Sequence, residues 1–255
     1  SLDTVGAFAG PLLATGLMLA WANDFRAVFW VAVIPGVLAV LLLLVGIREP
    51  EHSRPRGAVN PIRREALARL DRRYWWVVGV GAVFTLARFS EAFLVLRASQ
   101  LDVPVAWVPL VMVAMNLVYA ACAYPFGKLS DTMNHSALLA AGLVVLIASD
   151  LVLASASSWV GLGVGVALWG VHMGMTQGLL AAMVADTAPE DLRGTAYGFF
   201  NLLSGLALLA SSVIAGVLWD KMGSAFTFYA GAGFAALTLF GMAMRPAPTH
   251  RRAVP

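Results

Sequence analysis

Two ionisable side chains stand inside a long apolar segment of this sequence. Arg88 and Glu91 occur in the stretch FTLARFSEAF, residues 84–93. Residues three apart share a helix face, so the two charges can neutralise each other. Charged groups are costly in an apolar segment and are functional candidates where they occur. The chemistry open to this pair is the binding of a substrate or a proton. A structural ion pair that locks two helices is an equal alternative.

Other polar residues interrupt the neighbouring apolar segments: Asn116, Tyr119, His172, Gln177 and Asn201. Each alone is more typical of an interhelical hydrogen bond than of a ligand contact. Together with the first pair they would form a polar patch at one level of a membrane, as a water-filled cavity requires. His172 has no second histidine or carboxylate at ligand spacing, and Cys122 is the single cysteine, so we expect neither a metal site nor a cofactor.

The segments that must position these residues are membrane spans. Of the 255 residues, 60% are hydrophobic and 12% are charged, and the mean hydropathy is +0.81. Soluble domains average about 25% charged residues. The composition therefore excludes a soluble enzyme, a disordered chain and a nucleic-acid-binding module, and it predicts an integral membrane protein. A net charge of +3 is too small to indicate nucleic acid as a partner.

Continuous apolar runs of about 20 residues, the length that crosses a bilayer, predict an all-α polytopic bundle of eight transmembrane helices. Continuous runs also exclude a barrel, whose strands alternate. The chain begins in the first run without an initiator Met or a basic signal-peptide region, so we expect a fragment that lacks upstream helices. The approximate span cores are 2–21, 27–47, 74–96, 105–126, 136–154, 159–184, 195–218 and 225–244.

The basic residues predict the orientation of the bundle. Arg26 and Lys221 lie on one side of the spans, whereas thirteen bases lie on the other, which the positive-inside rule makes cytoplasmic. Both ends of the chain are then cytoplasmic, and the expected location is a bacterial inner membrane. The loop 48–73 also has affinity for anionic lipid, and a surface helix is expected within residues 60–73. The thirteen bases are Arg48, Arg54, Arg56, Arg63, Arg64, Arg69, Arg72, Arg73, Lys128, Arg193, Arg245, Arg251 and Arg252.

Two further features concern helix packing and depth in the membrane. Small residues recur along the sixth span and predict close helix contacts. Asp150 lies toward the outer end of the fifth span and is expected at the membrane interface. The small residues are Gly161, Gly165, Gly170, Gly174 and Gly178.

Three stretches resemble the major facilitator superfamily of secondary transporters. Residues 127–135, GKLSDTMNH, resemble the family's cytoplasmic loop G-x-L-S-D-x-x-x-R, with His135 at the position of the usual base. Residues 6–11, GAFAGP, match the core of the G-x-x-x-G-P signature of proton-coupled antiporters, although Leu13 and Ala14 stand where two glycines often follow. Residues 189–196 and 216–220 resemble the edges of the family's eleventh helix.

This resemblance implies a twelve-helix transporter of which the chain carries helices five to twelve. Residues 1–47 would be the last two helices of the N-terminal half, 48–73 the basic cytoplasmic connector, 74–244 the six-helix C-terminal half and 245–255 a cytoplasmic tail. The implied activity is alternating access, with proton-coupled efflux of a small molecule. The implied partners are that substrate, protons and membrane lipid, but no nucleic acid, and the protein would not be an enzyme.

The resemblance also implies roles for individual residues. Arg88 and Glu91 would couple substrate and proton binding, while the other polar residues line the cavity. A nutrient uniporter or symporter, and a non-transporting membrane protein, remain alternatives. The residues expected to seal a helix against leak are Gly6, Gly10 and Pro11, and those expected to latch the cytoplasmic gate are Gly127, Asp131 and its partner Arg193.

Overall fold

Helices make up all the regular structure in the computed structural model, which describes residues 2–21, 24–46, 67–101 and 103–244. Two short 3₁₀ turns, Val105–Trp107 and Glu190–Leu192, accompany them. The α-helices, numbered in chain order, are α1 (Leu2–Ala20), α2 (Phe25–Gly46), α3 (Arg72–Ala87), α4 (Ala92–Ser99), α5 (Leu110–Ser130), α6 (His135–Ser155), α7 (Trp159–Thr176), α8 (Leu179–Thr187), α9 (Arg193–Met222) and α10 (Ser224–Ala243).

These helices form the spans that the sequence predicts. By length and composition, seven segments of the described chain can cross a membrane, and α1 adds a shorter apolar stretch, Ala9–Ala20. The prediction of an all-α polytopic membrane fold is confirmed. We number the spans one to eight, with α1 as span one. The other seven are Phe25–Gly46, Arg72–Ser99, Val105–Ser130, His135–Ser155, Trp159–Thr187, Glu190–Met222 and Ser224–Ala243.

Spans three and six differ from the prediction, because each consists of two helices. Span three contains α3 and α4, and span six contains α7 and α8. Most of the predicted surface helix over 60–73, and the whole tail 245–255, lie outside the described residues.

The last six spans pack together. Spans five and six run along each other, span six also lies on span four, and span five lies on span eight. Span three is held against spans seven and eight. The largest side chains of the shared core are Trp169, Tyr74 and Phe228, all fully buried. By contrast, α1 packs on α5, and α2 buries none of its residues.

Glycines bring α7 directly against α5. A Cβ atom at Gly170 would lie 2.7 Å from the carbonyl oxygen of Met115, and one at Gly174 would lie 2.5 Å from the Cβ of Cys122. Distances under about 3.0 Å are not tolerated at a Cβ, so both positions need glycine for close approach. The packing predicted from the glycine stripe is confirmed at these two residues.

Hydrogen bonds tie the helix ends at both faces of the bundle, here called the Arg72 end and the Ser99 end. At the Arg72 end, the Tyr74 hydroxyl donates to the carbonyl of Ala196 at 3.0 Å. At the Ser99 end, the Arg97 guanidinium donates to three segments of the chain. Its acceptors there are the carbonyls of Leu153 (3.2 Å) and Ala156 (2.6 Å), the Ser224 hydroxyl (2.9 Å) and the Gln100 side chain (3.0 Å).

Candidate functional site

The break in span three carries the two charged residues. Helix α3 ends at Ala87 and α4 begins at Ala92, so Arg88 and Glu91 lie at the ends of two short helices rather than inside one. Arg88 has φ −107° and ψ 74°, outside the helical region. The Ser90 hydroxyl accepts from the N–H of Ala92 at 3.3 Å. The N-terminus of α4, the positive end of its helix dipole, therefore lies beside the charged pair.

A serine on a distant helix supports this break. The carbonyl of Leu86 would pair with the N–H of Ser90 in a continuous helix. It accepts instead from the hydroxyl of Ser211 in α9, at 2.8 Å. The Thr85 hydroxyl bonds back to the carbonyl of Gly81 at 2.8 Å, a contact that bends helices. Sequence reasoning missed Ser211, because no local signal connects it to residues 125 positions earlier.

Arg88 is the centre of a polar cluster. Its guanidinium lies over the ring of Phe84, 5.7 Å from the centroid, and interacts electrostatically with Glu91, Tyr119 and His172. Among the described residues, none forms an ion pair within 4.0 Å or a side-chain hydrogen bond with Arg88 or Glu91. We call Arg88, Glu91, Tyr119 and His172 the Arg88 cluster. It contains a half-buried cation whose N–H groups have no hydrogen-bond acceptor among the described residues.

His172 has a defined tautomer in its neutral form. Its Nδ1 lies 2.8 Å from the carbonyl oxygen of Gly142, and the ring is fully buried. A carbonyl only accepts, so Nδ1 carries the proton and the lone pair is on Nε2. Within the described chain, Nε2 has no hydrogen-bond partner. The ring lies 5.7 Å from that of Phe84, the same ring that Arg88 covers.

The break in span six has a different cause. Helix α7 ends at Thr176 and α8 begins at Leu179, and Gly178 between them has φ 81°. This left-handed conformation favours glycine. A Cβ at Gly178 would meet no atom within 4 Å. The assignment of Gly178 to the close-packing stripe was therefore wrong, because this glycine is required by the turn. Gln177 is exposed at the break.

The other three predicted lining residues lie on three different spans. Asn116 is buried, and its amide donates to the carbonyl of Met112 on its own helix at 2.8 Å. Asn201 lies exposed on α9. Charge interactions thus connect Arg88 with Glu91, Tyr119 and His172, and the lining role of Asn116, Gln177 and Asn201 stays a prediction.

The predicted gate residues lie at the Arg72 end. Gly127 and Asp131 are exposed at the end of α5, and Arg193 is the exposed first residue of α9. No ion pair within 4.0 Å joins Asp131 to Arg193 in the described chain. Instead His135 Nδ1 lies 3.3 Å from Asp186 Oδ2, at the end of span six. The latch role of Gly127, Asp131 and Arg193 stays a prediction.

The signature glycines of α1 face open space. A Cβ at Gly6 or Gly10 would meet no described atom within 4 Å, and Pro11 lies inside the helix. The buried face of α1 carries Thr15 and Met18 instead. The sealing role of Gly6, Gly10 and Pro11 stays a prediction.

Asp150 lies in the interior of the bundle. Its side chain is fully buried, and its depth in the membrane stays a prediction. A Cβ at Gly231 of α10 would lie 2.6 Å from its Oδ2 atom. The sequence position predicts how far along α6 the residue lies. The direction of its side chain depends instead on the space that Gly231, which has no side chain, leaves in α10; we call this space the notch.

The described chain is thus a polytopic membrane bundle in which two spans are interrupted and one interruption holds a half-buried cation. Discontinuous spans whose ends meet polar groups are typical of secondary transporters. The model of the Major Facilitator Superfamily matches residues 1–212, and the chain belongs to this family, whose members are transporters and not enzymes.

Relatives agree with this membership. The uncharacterised MFS-type transporter MJ1317 of Methanocaldococcus jannaschii is 30% identical over 248 residues, which is 93% of this chain and 60% of that protein. The Escherichia coli inner membrane transport protein YajR is 28% identical over 159 residues, 60% of this chain and 34% of that protein. The chain therefore spans only part of the length of these relatives.

A solved structure shares the fold. The fucose:proton symporter FucP of Escherichia coli superposes with a TM-score of 0.64 over 89% of this chain and 58% of that one. The identity is 16%, so this likeness concerns the fold alone.

Proposed function

We propose that the protein is a proton-coupled secondary transporter that exports a small polar molecule by alternating access. One observation carries the proposal: the half-buried Arg88 guanidinium has no hydrogen-bond acceptor in the described chain, although it lies at a helix break beside a carboxyl group. A cation retained at such depth without a structural partner is typical of a transport site. Membership of a transporter family supports the same activity.

The chemistry of the Arg88 cluster fits this function. Arg88 offers five N–H donors in a planar fork, which suits a carboxylate, a phosphate or another acceptor on the substrate. Glu91 is the carboxyl that would take the proton. The cluster is neutral when Glu91 is ionised and positive when it is protonated, so substrate and proton occupancy are linked through their charges. Tyr119, His172, Asn116, Gln177 and Asn201 would line the path.

Whether the proton weakens or strengthens substrate binding distinguishes export by exchange from uptake by co-transport. A substrate whose donor or cationic group binds ionised Glu91 competes with the proton, as exchange requires. A purely anionic substrate binds Arg88 more tightly when Glu91 is protonated, as co-transport requires. Symport is the second candidate, and Leu13 and Ala14 favour it, because the antiporter signature is incomplete at these positions.

The larger arrangement follows from the same proposal. Residues 1–47 would belong to the N-terminal half and 74–244 would form the other half, with 245–255 as the tail. The connector 48–73 would join the halves, and its bases would favour anionic lipid. The Arg72 end would face the cytoplasm of a bacterial inner membrane. Two groups of residues would control the path there: the gate latch of Gly127, Asp131 and Arg193, and the leak seal of Gly6, Gly10 and Pro11.

The test uses the full-length protein in vesicles that contain the pH dye pyranine. Small acids, amines and sugars are added singly, and dye fluorescence reports any proton movement that a compound drives. We expect at least one class to move protons in the wild type beyond the passive signal of protein-free vesicles, and none to do so in Glu91→Gln. Counterflow with and without a pH gradient then gives the direction. Proton movement that persists in the variant would remove Glu91 from this role.

A further inference from the structure

A second carboxyl group is buried in the bundle, away from the Arg88 cluster. Asp150 lies in α6, one and a half turns from the helix end at Ser155. Its side chain has no exposed surface. The neighbouring Ser149 uses its hydroxyl elsewhere, since it donates to the carbonyl of Gly165 at 2.8 Å. Asp150 therefore stands alone in the seam between α6 and α10.

Neither oxygen of this carboxyl group has a hydrogen-bond partner in the described chain. An ionised carboxylate in that position would have lost its water without gaining a donor, which is among the most costly arrangements in a protein. A neutral carboxylic acid loses much less, because only a dipole is left unpaired. The seam as it stands therefore suits the acid with its proton bound.

The surroundings contain an unused donor. A Cβ at Gly231 would lie 2.6 Å from Asp150 Oδ2 and 2.9 Å from Phe89 Cε1, so the acid and this ring border the same notch. The ring of Trp169 lies 5.4 Å from that of Phe89. Trp169 is fully buried, and its Nε1–H also lacks an acceptor in the described residues. An unpaired acceptor and an unpaired donor thus both lie close to the same phenylalanine.

We propose that Asp150 is a proton-binding site separate from the Arg88 cluster, and that the Trp169 indole N–H becomes its hydrogen-bond donor when the proton leaves. Loss of the proton places a charge between Phe89 and Gly231, and that charge needs a donor or water. Because Phe89 is part of the break in span three, the seam between α6 and α10 must rearrange together with this break. The occupancy of Asp150 then selects between two packings of the seam.

The helices around this seam carry few other titratable groups, so the charge of Asp150 depends mainly on whether it binds a proton. Helix α10 has no charged residue, and its one titratable side chain, Tyr229, is half exposed. In α6 the other titratable group is His135 at the far end, and in α7 it is His172, whose Nδ1 is engaged by Gly142. Span three contributes Arg88 and Glu91 on either side of Phe89. It also contributes Arg97, whose donors are occupied at the Ser99 end.

The experiment is labelling with dicyclohexylcarbodiimide, an apolar reagent that forms a stable acylurea with protonated carboxyl groups. The full-length protein in membranes is labelled over a range of pH, and peptides are analysed by mass spectrometry. We expect an adduct on Asp150 near pH 7 that declines as the pH rises. Glu91→Gln should keep this adduct, which separates the site from the transport proposal. Loss of the Asp150 adduct in the Glu91→Gln protein would overturn the proposal that the two sites are separate.

Trp169→Phe tests the donor, because it keeps an aromatic ring near Phe89 and removes the indole N–H together with part of the ring volume. We expect the pH of half-maximal labelling to rise by about one unit, and an unchanged midpoint would exclude Trp169 as the donor. Infrared spectra of the wild type and Asp150→Asn at the same pH provide an independent readout that needs no reagent access. Loss of one protonated-carboxyl band in the variant supports the proposal, and identical spectra would overturn it.

Discussion

The two interrupted spans differ in what interrupts them. Span six breaks at Gly178, whose left-handed backbone accounts for the turn by itself. Span three breaks without glycine or proline between residues 84 and 93, and its freed carbonyl is satisfied by Ser211 from another helix. The first break is a local property of the chain, whereas the second depends on tertiary structure. The charged pair lies at the second, where a movement of α9 can change the geometry of the site.

The largest expected effect concerns the charge at the break in span three. Arg88→Gln should weaken the binding of an acidic substrate by about 10- to 150-fold, since a charge-assisted hydrogen bond contributes about 1.5–3 kcal/mol. Arg88→Lys keeps the charge but not the planar fork, so we expect an intermediate loss. Proton movement in pyranine-loaded vesicles, driven by a responsive acid, measures both. Equal responses of Arg88→Gln and the wild type would show that Arg88 does not bind the acidic group of the substrate.

The second effect concerns the local break. Gly178→Ala places a Cβ in the left-handed region, which costs about 1–2 kcal/mol. The matched control is Gly163→Ala, at an exposed position inside α7 where a Cβ meets no described atom within 4 Å. That control should be neutral or gain about 0.5–1 kcal/mol. Thermal unfolding in detergent compares them, and a Gly178→Ala protein as stable as its control would refute the local origin of this break.

The smallest expected effect concerns the hydrogen bond that Ser211 of α9 donates to span three. Ser211→Ala removes the donor to the Leu86 carbonyl and should lower the free energy of unfolding by about 1 kcal/mol. Ser212→Ala, at the next and less buried position, is its control. If the break in span three depends on this hydrogen bond, Ser211→Ala should also alter the response to an acidic substrate. Ser212→Ala should not alter it. A break that depends on residues 84–93 alone would leave both variants alike.

The predictability of each feature follows the range of the interactions behind it. Composition and run length are sufficient for the spans, because a bilayer requires a fixed apolar length. Close packing at Gly170 and Gly174 follows from their spacing on one helix face. Arg88 and Glu91 were found from their cost in an apolar segment. The contact of Ser211 with Leu86, and the burial of Asp150 against Gly231, could not be predicted, since each depends on how separate helices are rotated.

Arg97 has a practical consequence for protein engineering. Surface connections between spans are ordinarily the safest places to insert an epitope tag or a fluorescent domain. The connection after α6 is an exception, because the carbonyl of Ala156 accepts the shortest of the Arg97 hydrogen bonds, at 2.6 Å, and Ser224 on a different span shares the same guanidinium. An insertion there would disturb two spans at once.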